Sequence, residues 1–208
     1  MEAIETEGMD RSRIHILQAL MRLRQICCHP LLVDPLFKGD ACKFEALNDL
    51  LEIIVEEKHK ALVFSQFVGV LDLIRGKLDE RKIKHEYLTG KTSNRQLPVD
   101  NFQDDPDILL MLISLKAGGV GLNLTAADYV VLFDPWWNPA VENQAADRAY
   151  RIGQTKPVFV YKLIAEDSVE DRVLELQQSK KELFDSVISS EVSVFKEMKR
   201  QDIQRLFE

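Results

Sequence analysis

Between Lys60 and Glu166, short apolar runs alternate with amphipathic stretches, and this alternation leaves few folds open to the chain. The runs are "KALVFSQ", "HEYLT", "ILLMLISL", "YVVLFD" and "VFVYKLI". Strands separated by helical stretches are the mark of a parallel α/β sheet, because a crossover helix must return the chain to the same edge before the next strand begins. In "VGVLDLIRGKLDERK", Val70, Leu71, Ile74 and Leu78 recur at helical spacing. "LPVDNFQ" suits a short helix with Pro98 in its first turn. "WNPAVENQAADRAYRIG" has Asn138 as N-cap and Pro139 at the first helical position, and is expected to run as a helix to Gly153.

Helical segments flank this core. One is expected from about Asp10 to Cys28, broken by Pro30 and Pro35, and a second over "DACKFEALNDLLEIIVEEK". After the last strand, Asp167 and Glu170 read as a capping pair. Val169, Val173, Leu176, Leu183 and Val187 then form one stripe. A last helix is expected from about Val192 to Phe207. The resulting division is a lead-in over 1–40, an α/β core over 41–166 and C-terminal bracing helices over 167–208.

Composition narrows the setting. No apolar run approaches the roughly 20 residues that span a bilayer, and the first residues lack a signal-peptide core, so neither membrane nor export is expected. An odd number of cysteines, three, in a chain of this size points to a reducing, intracellular compartment. The net charge of −7 disfavours nucleic-acid binding. Charge is segregated, however, with "RGKLDERKIKH" basic and "EDSVEDRVLE" acidic, so the total does not decide the partner.

Four places invite chemistry. "YLTGKTS" ends like a Walker A loop, yet the required first glycine is replaced by His85, so it is not read as a phosphate cradle. Cys27, Cys28, His29 and Cys42 lack the spacing of a zinc site, and no metal is expected; buried thiols and a helix-ending histidine account for them. "SLKAGGVGLNL" clusters Gly118, Gly119 and Gly121 after a strand, which suits either a close approach to phosphate or a tight turn. In the helix after "DPWWNP", Gln144, Arg148 and Arg151 fall at i, i+4 and i+7 and should share one face. Val141, Ala145, Ala149 and Ile152 should line the neighbouring face. Guanidinium forks match phosphate oxygens, which weighs against a merely solvated face.

"QAADRAYRIGQ" resembles motif VI of the Swi/Snf family of helicase-like, DNA-translocating ATPases. "LISLKAGGVGLNLTAADYVVLFDPWWNP" resembles motif V with its extension, "KALVFSQF" motif IV, and "LRQICCHPLLV" the segment leading into the C-terminal motor lobe. With "YLTGKTS", the resemblance covers nearly all of residues 14–185, in the family's order.

The resemblance implies a RecA-like second lobe whose partner lobe, carrying Walker A and Walker B, lies outside this sequence. It implies ATP as cofactor, with Mg2+ bound mainly by that missing lobe, double-stranded DNA as track, a DNA-bound protein to be displaced, and a nucleoid, cytoplasmic or nuclear setting. Carried across residue by residue, Arg148 and Arg151 match the arginine fingers, and Gln144, Gly119 and Gly121 line the nucleotide cleft. Gly90, Lys91, Thr92, Ser65, Gln66, Lys116 and Trp137 face the DNA. Cys28 stands where the family often has Asn. Two other readings stay open on sequence: a non-catalytic RecA-like docking module, and a lobe of an RNA helicase.

Overall fold

The computed structural model describes residues 9–118, 122–151, 153–179 and 206, apart from the side chains of 9–13, 116, 118 and 179. All the expected strands form: β1 Ala61–Ser65, β2 His85–Leu88, β3 Leu110–Ser114, β4 Tyr129–Leu132 and β5 Phe159–Lys162. They make one five-stranded sheet in the order β2-β3-β1-β4-β5, and every pairing is parallel. The central strands β1 and β3 are buried at every position, whereas β5, at the edge, is exposed throughout.

Successive strand residues point to opposite faces, so the sheet divides its apolar side chains between two layers. Ala61, Val63, Leu110, Leu112 and Val131 face helices α2 (Cys42–Glu56) and α3 (Val68–Glu80). Leu62, Phe64, Met111, Ile113, Val130 and Leu132 face α4 (Gln96–Asp104) and the helix after "DPWW". Helix α3 illustrates what holds these layers. It contains Gly69 and Gly76, each costing about 1 kcal/mol of helix propensity. Burial of Val70, Leu71, Ile74 and Leu78, at about 1.5–3 kcal/mol apiece, outweighs that several-fold. Packing rather than propensity makes this segment helical.

Helix α1 (Met9–Cys28) and helix α7 (Val169–Ser179) meet outside the sheet layers, where Leu20, Val169, Val173, Leu176 and Leu206 cluster around Trp137. Leu183, Val187 and the helix expected over 192–207 lie outside the described residues, apart from Leu206. Among the described residues no helix is long and apolar enough to cross a membrane.

Three expectations need correction. Helix α6, Pro139–Ala146, starts as predicted, with the Asn138 side chain accepting from Ala140 N at 2.9 Å, but it stops at Ala146 rather than near Gly153. Beyond it the carbonyls have other partners: Arg148 O accepts from Leu124 N at 3.0 Å and Ala149 O from the Gln154 side chain at 3.3 Å. Gly153, at φ +108°, then turns the chain toward β5 in a conformation that side chains rarely tolerate.

Asp167 does not cap α7. Its φ of +51° is left-handed, whereas an N-cap needs extended backbone. Ser168 instead accepts from Glu170 N at 3.1 Å, and Glu170 turns inward, where it accepts from Ala165 N at 2.9 Å. Finally, only Cys28 of the thiols is buried. Cys27 is half-buried and Cys42 exposed, because the turn opening α2 directs Lys43 and Phe44 inward instead. His29 Nδ1 accepts from Leu31 N at 3.1 Å and caps the 3-10 turn Pro30–Leu32.

Candidate nucleotide cleft and nucleic-acid face

The chain leaves β1 toward β2 on one side and later crosses to β4 on the other, so the sheet has its switch point at the carboxyl ends of β1 and β4, where α/β sheets bind ligands. Here the protein's own groups fill much of that point. Asp134, at the end of β4, is buried; the Ser65 hydroxyl donates to it at 2.5 Å and Gln66 N at 3.3 Å. Burial pushes the Asp134 carboxyl up, and the Arg24 charge and the Ser65 bond pull it partly back.

Ser65 is therefore corrected as a DNA contact. It is fully buried and its hydroxyl also accepts from Phe67 N at 3.1 Å, leaving nothing to offer a backbone phosphate. Gln66 is half-buried, and its side-chain Nε2 is buried with no hydrogen-bond partner. Trp137 is corrected as well. At 2% exposure it lies beneath the Arg24 guanidinium, 5.4 Å from its ring centre, and packs against α1 and α7. Its aromatic surface is spent on the core.

The "TGKTS" turn follows β2 and opens at the same edge of the sheet. Thr92 Oγ1 accepts from Thr89 N at 3.0 Å, and Thr92 N donates to Thr89 O at 3.1 Å, which closes the turn. Gly90 and Lys91 are thereby left exposed at its tip, and Thr92 half-exposed with its hydroxyl proton still to donate. Lys116 lies on the short helix α5 (Leu115–Gly118) that follows β3; its side chain, and Gly119 and Gly121 altogether, lie outside the described residues.

The expected row of Gln144, Arg148 and Arg151 on one helix face is not formed, because α6 ends first. Gln144 is exposed on α6, and both arginines stand on the turn beyond it. Arg148 is only 6% exposed, and its Nε is buried with no hydrogen-bond partner. Burial, and then the like charge of Arg151, hold its guanidinium below the usual arginine range. Arg151 is exposed. The turn thus offers one desolvated and one exposed guanidinium, close enough to repel each other, a pairing that an incoming phosphate would relieve.

Several residues that shape this edge escaped the sequence reading, and Glu170 entered it only as a capping residue. Arg24, Lys43 and Glu170 are buried charges, Glu142 and Gln177 tie loops to helices, and Gln154 ties two loops together. A signal existed. Arg24 sits midway between Leu20 and Cys28, and Lys43 precedes Leu47 and Leu51, in each case at i, i+4 and i+8 on the buried stripe of a helix. A charge on such a stripe demands a buried partner.

An all-parallel sheet in this order, with loops converging at one carboxyl edge, defines a RecA-like α/β lobe. Residues 42–153 match the helicase conserved C-terminal domain. An uncharacterized ATP-dependent helicase of Mycoplasma genitalium is 40% identical over 204 residues, covering 97% of this chain and 20% of that protein. A putative ATP-dependent helicase/translocase of Bacillus subtilis, YwqA, is 39% identical over 208 residues, covering 96% of this chain and 22% of that protein.

Among solved structures, the Sulfolobus solfataricus SWI2/SNF2 ATPase C-terminal domain superposes with a TM-score of 0.78 at 30% identity, covering 99% of this chain and 86% of that one. The ATPase core of the same organism in complex with dsDNA gives a TM-score of 0.80 at 32% identity, covering 99% of this chain and 44% of that one. The chain belongs to the helicase C-terminal domain family and is a C-terminal lobe of the Swi/Snf type. It spans about a fifth of the length of these two curated relatives.

Proposed function

We propose that the chain is the second motor lobe of an ATP-dependent translocase on double-stranded DNA, one that displaces bound protein and works inside the cell. Segments 1–40 and 167–208 serve as the lead-in and the brace of the core over 41–166. The observation that carries the reading is the arginine turn. Arg148 keeps a buried, unpartnered Nε beside a second guanidinium, a donor set suited to phosphate oxygens.

Bound across the cleft from the first lobe, ATP supplies a terminal phosphoanhydride to be hydrolysed. Arg148 and Arg151 neutralise the charge that grows on the departing phosphoryl oxygens, and Gln144, with Gly119 and Gly121, lines the cleft. The reading assigns Mg2+ mainly to the other lobe, since one or two carboxylates together with the ATP phosphates suffice to hold it. Gly90, Lys91, Thr92 and Lys116 face the DNA track, with Gln66 behind them.

The 208-residue chain alone should hydrolyse ATP no faster than background, since one lobe holds only half the site. A protein carrying both lobes should turn ATP over and be stimulated by duplex DNA. A docking module would give neither activity, and an RNA helicase lobe would respond to RNA instead. Turnover by the isolated chain that Lys91→Ala abolishes would overturn this reading of "TGKTS".

The DNA contacts have their own test. In the two-lobe protein, Lys91→Ala should weaken duplex binding evenly across sequences. It should also lower the slope of log affinity against log salt by about one, the loss of one phosphate contact. Titrations at several salt concentrations measure this. An unchanged slope would remove Lys91 from the track.

A further inference from the structure

Every residue of the segment Asp134–Trp137 is held by a neighbouring element. Asp134 is bound by the end of β1, through Ser65 and Gln66 N. The carbonyl of Pro135 accepts from Arg24 Nη2 of α1. Trp136 N donates to Glu142 Oε1 of α6 at 2.7 Å, and its carbonyl accepts from Gln177 Nε2 of α7. The Trp137 ring lies under Arg24 and against α1 and α7. Glu142 reaches on to Lys162 of β5. Four polypeptide steps therefore join the sheet to both flanking helices and to α6.

We propose that Arg24 is a positioning residue for the arginine turn: by fixing Pro135 and Trp137, helix α1 sets where Arg148 and Arg151 stand. The inference rests on the reading of those arginines as the pair that faces ATP. Its path is short. Trp137 is followed by the N-cap of α6, and Glu142 in the first turn of α6 grips Trp136 N, so that α6 cannot shift without the segment. Helix α6 is eight residues long, a rigid lever of about 12 Å, and its far end runs directly into Arg148.

Arg24 is fully buried. The guanidinium donates to a carbonyl and stacks on two rings, Phe67 at 5.8 Å and Trp137 at 5.4 Å. A residue that only filled space there would need none of this planar chemistry. Misplacing a transition-state group by about 1 Å costs on the order of a hundredfold in rate, so a modest slackening of the segment is enough to be read in turnover.

Two measurements test the proposal. The chain has only two tryptophans, both in this segment, so its indole fluorescence reports on nothing else. In the 208-residue chain, of which a relative's counterpart has been solved as a separate domain, Arg24→Met should increase acrylamide quenching and speed amide exchange over 147–151. In the two-lobe protein it should lower the kcat of DNA-stimulated ATP turnover by roughly tenfold or more. KM for ATP and duplex affinity should stay within about threefold, a split that general destabilisation does not give. Arg24→Lys, which keeps the charge and a donor, should recover part of kcat.

Where Arg24→Met fails to fold, Gln177→Met carries the test, as it loosens the same segment through Trp136 O. Unchanged quenching and exchange in a folded variant would overturn the proposal. So would faster exchange with normal kcat while Arg148→Ala is inactive. If Arg148→Ala and Arg151→Ala are themselves active, the functional reading of the turn has failed instead, and exchange alone judges whether Arg24 positions it.

Discussion

Arg148→Ala and Arg151→Ala each lower the kcat of DNA-stimulated ATP turnover by roughly a thousandfold or more, in a protein carrying both lobes, while ATP affinity stays within about tenfold. The expectation follows from where the charge is needed. A guanidinium aimed at the phosphoryl oxygens gains most when charge accumulates during transfer, so its removal is felt in the transition state more than in bound ATP. The structure separates the two positions. Arg148 is desolvated with an unpartnered Nε, and Arg151 is exposed. A buried charge without its full set of bonds is already destabilised, so Arg148→Ala should leave the fold intact or slightly more stable. Arg151→Lys should recover little, because a point ammonium cannot make a planar two-pronged contact. Turnover, ATP affinity and DNA affinity of the three variants decide the matter. Near-normal turnover in both alanine variants would reduce the turn to a surface feature.

Lys43→Met destabilises the chain by about 3–5 kcal/mol, as expected when one half of a buried ion pair is removed. Lys43 Nζ lies 2.8 Å from both Glu170 oxygens, and the two side chains are 3% and 0% exposed. Burial pushes the Glu170 carboxyl up, and the Lys43 charge offsets part of that shift. Without Lys43 the carboxylate keeps, among the described residues, Ala165 N and the Cys28 thiol, 4.0 Å away, as partners. The double variant Lys43→Met, Glu170→Gln removes both charges and preserves the acceptor for Ala165 N. It should return to within about 1–2 kcal/mol of the parent.

In thermal unfolding the single substitution should lower Tm by about 6–20 °C, at roughly 2–4 °C per kcal/mol for a domain of this size. The pair joins α2 to α7, so the loss should appear first as faster amide exchange in α7. A single variant within about 1 kcal/mol of the parent would show that α7 is held without the ion pair, by its apolar stripe and the Gln177 bond to Trp136 O.

The sequence alone determined the strands, their parallel arrangement and most helices, because burial on two faces writes nearly continuous apolar runs, and amphipathic crossovers write a helical period that needs no distant partner to be read. One missing glycine also speaks locally against a phosphate loop at "TGKTS".

Tertiary structure decided what distant segments do to one another. Helix α6 ends at Ala146, and in the turn beyond it Leu124 N and the Gln154 side chain bind the carbonyls of Arg148 and Ala149 that a continued helix would have used. That end takes Arg148 and Arg151 off the helix face that Gln144 occupies, where helical spacing had placed all three. Ser65 and Trp137, which motif position assigned to the DNA, are buried because Asp134 and helices α1 and α7 close over them. Arg24, Lys43 and Glu170 take their meaning from partners 111 and 127 residues away along the chain. A buried charge depends on what lies opposite it in space, and local periodicity carries no record of that.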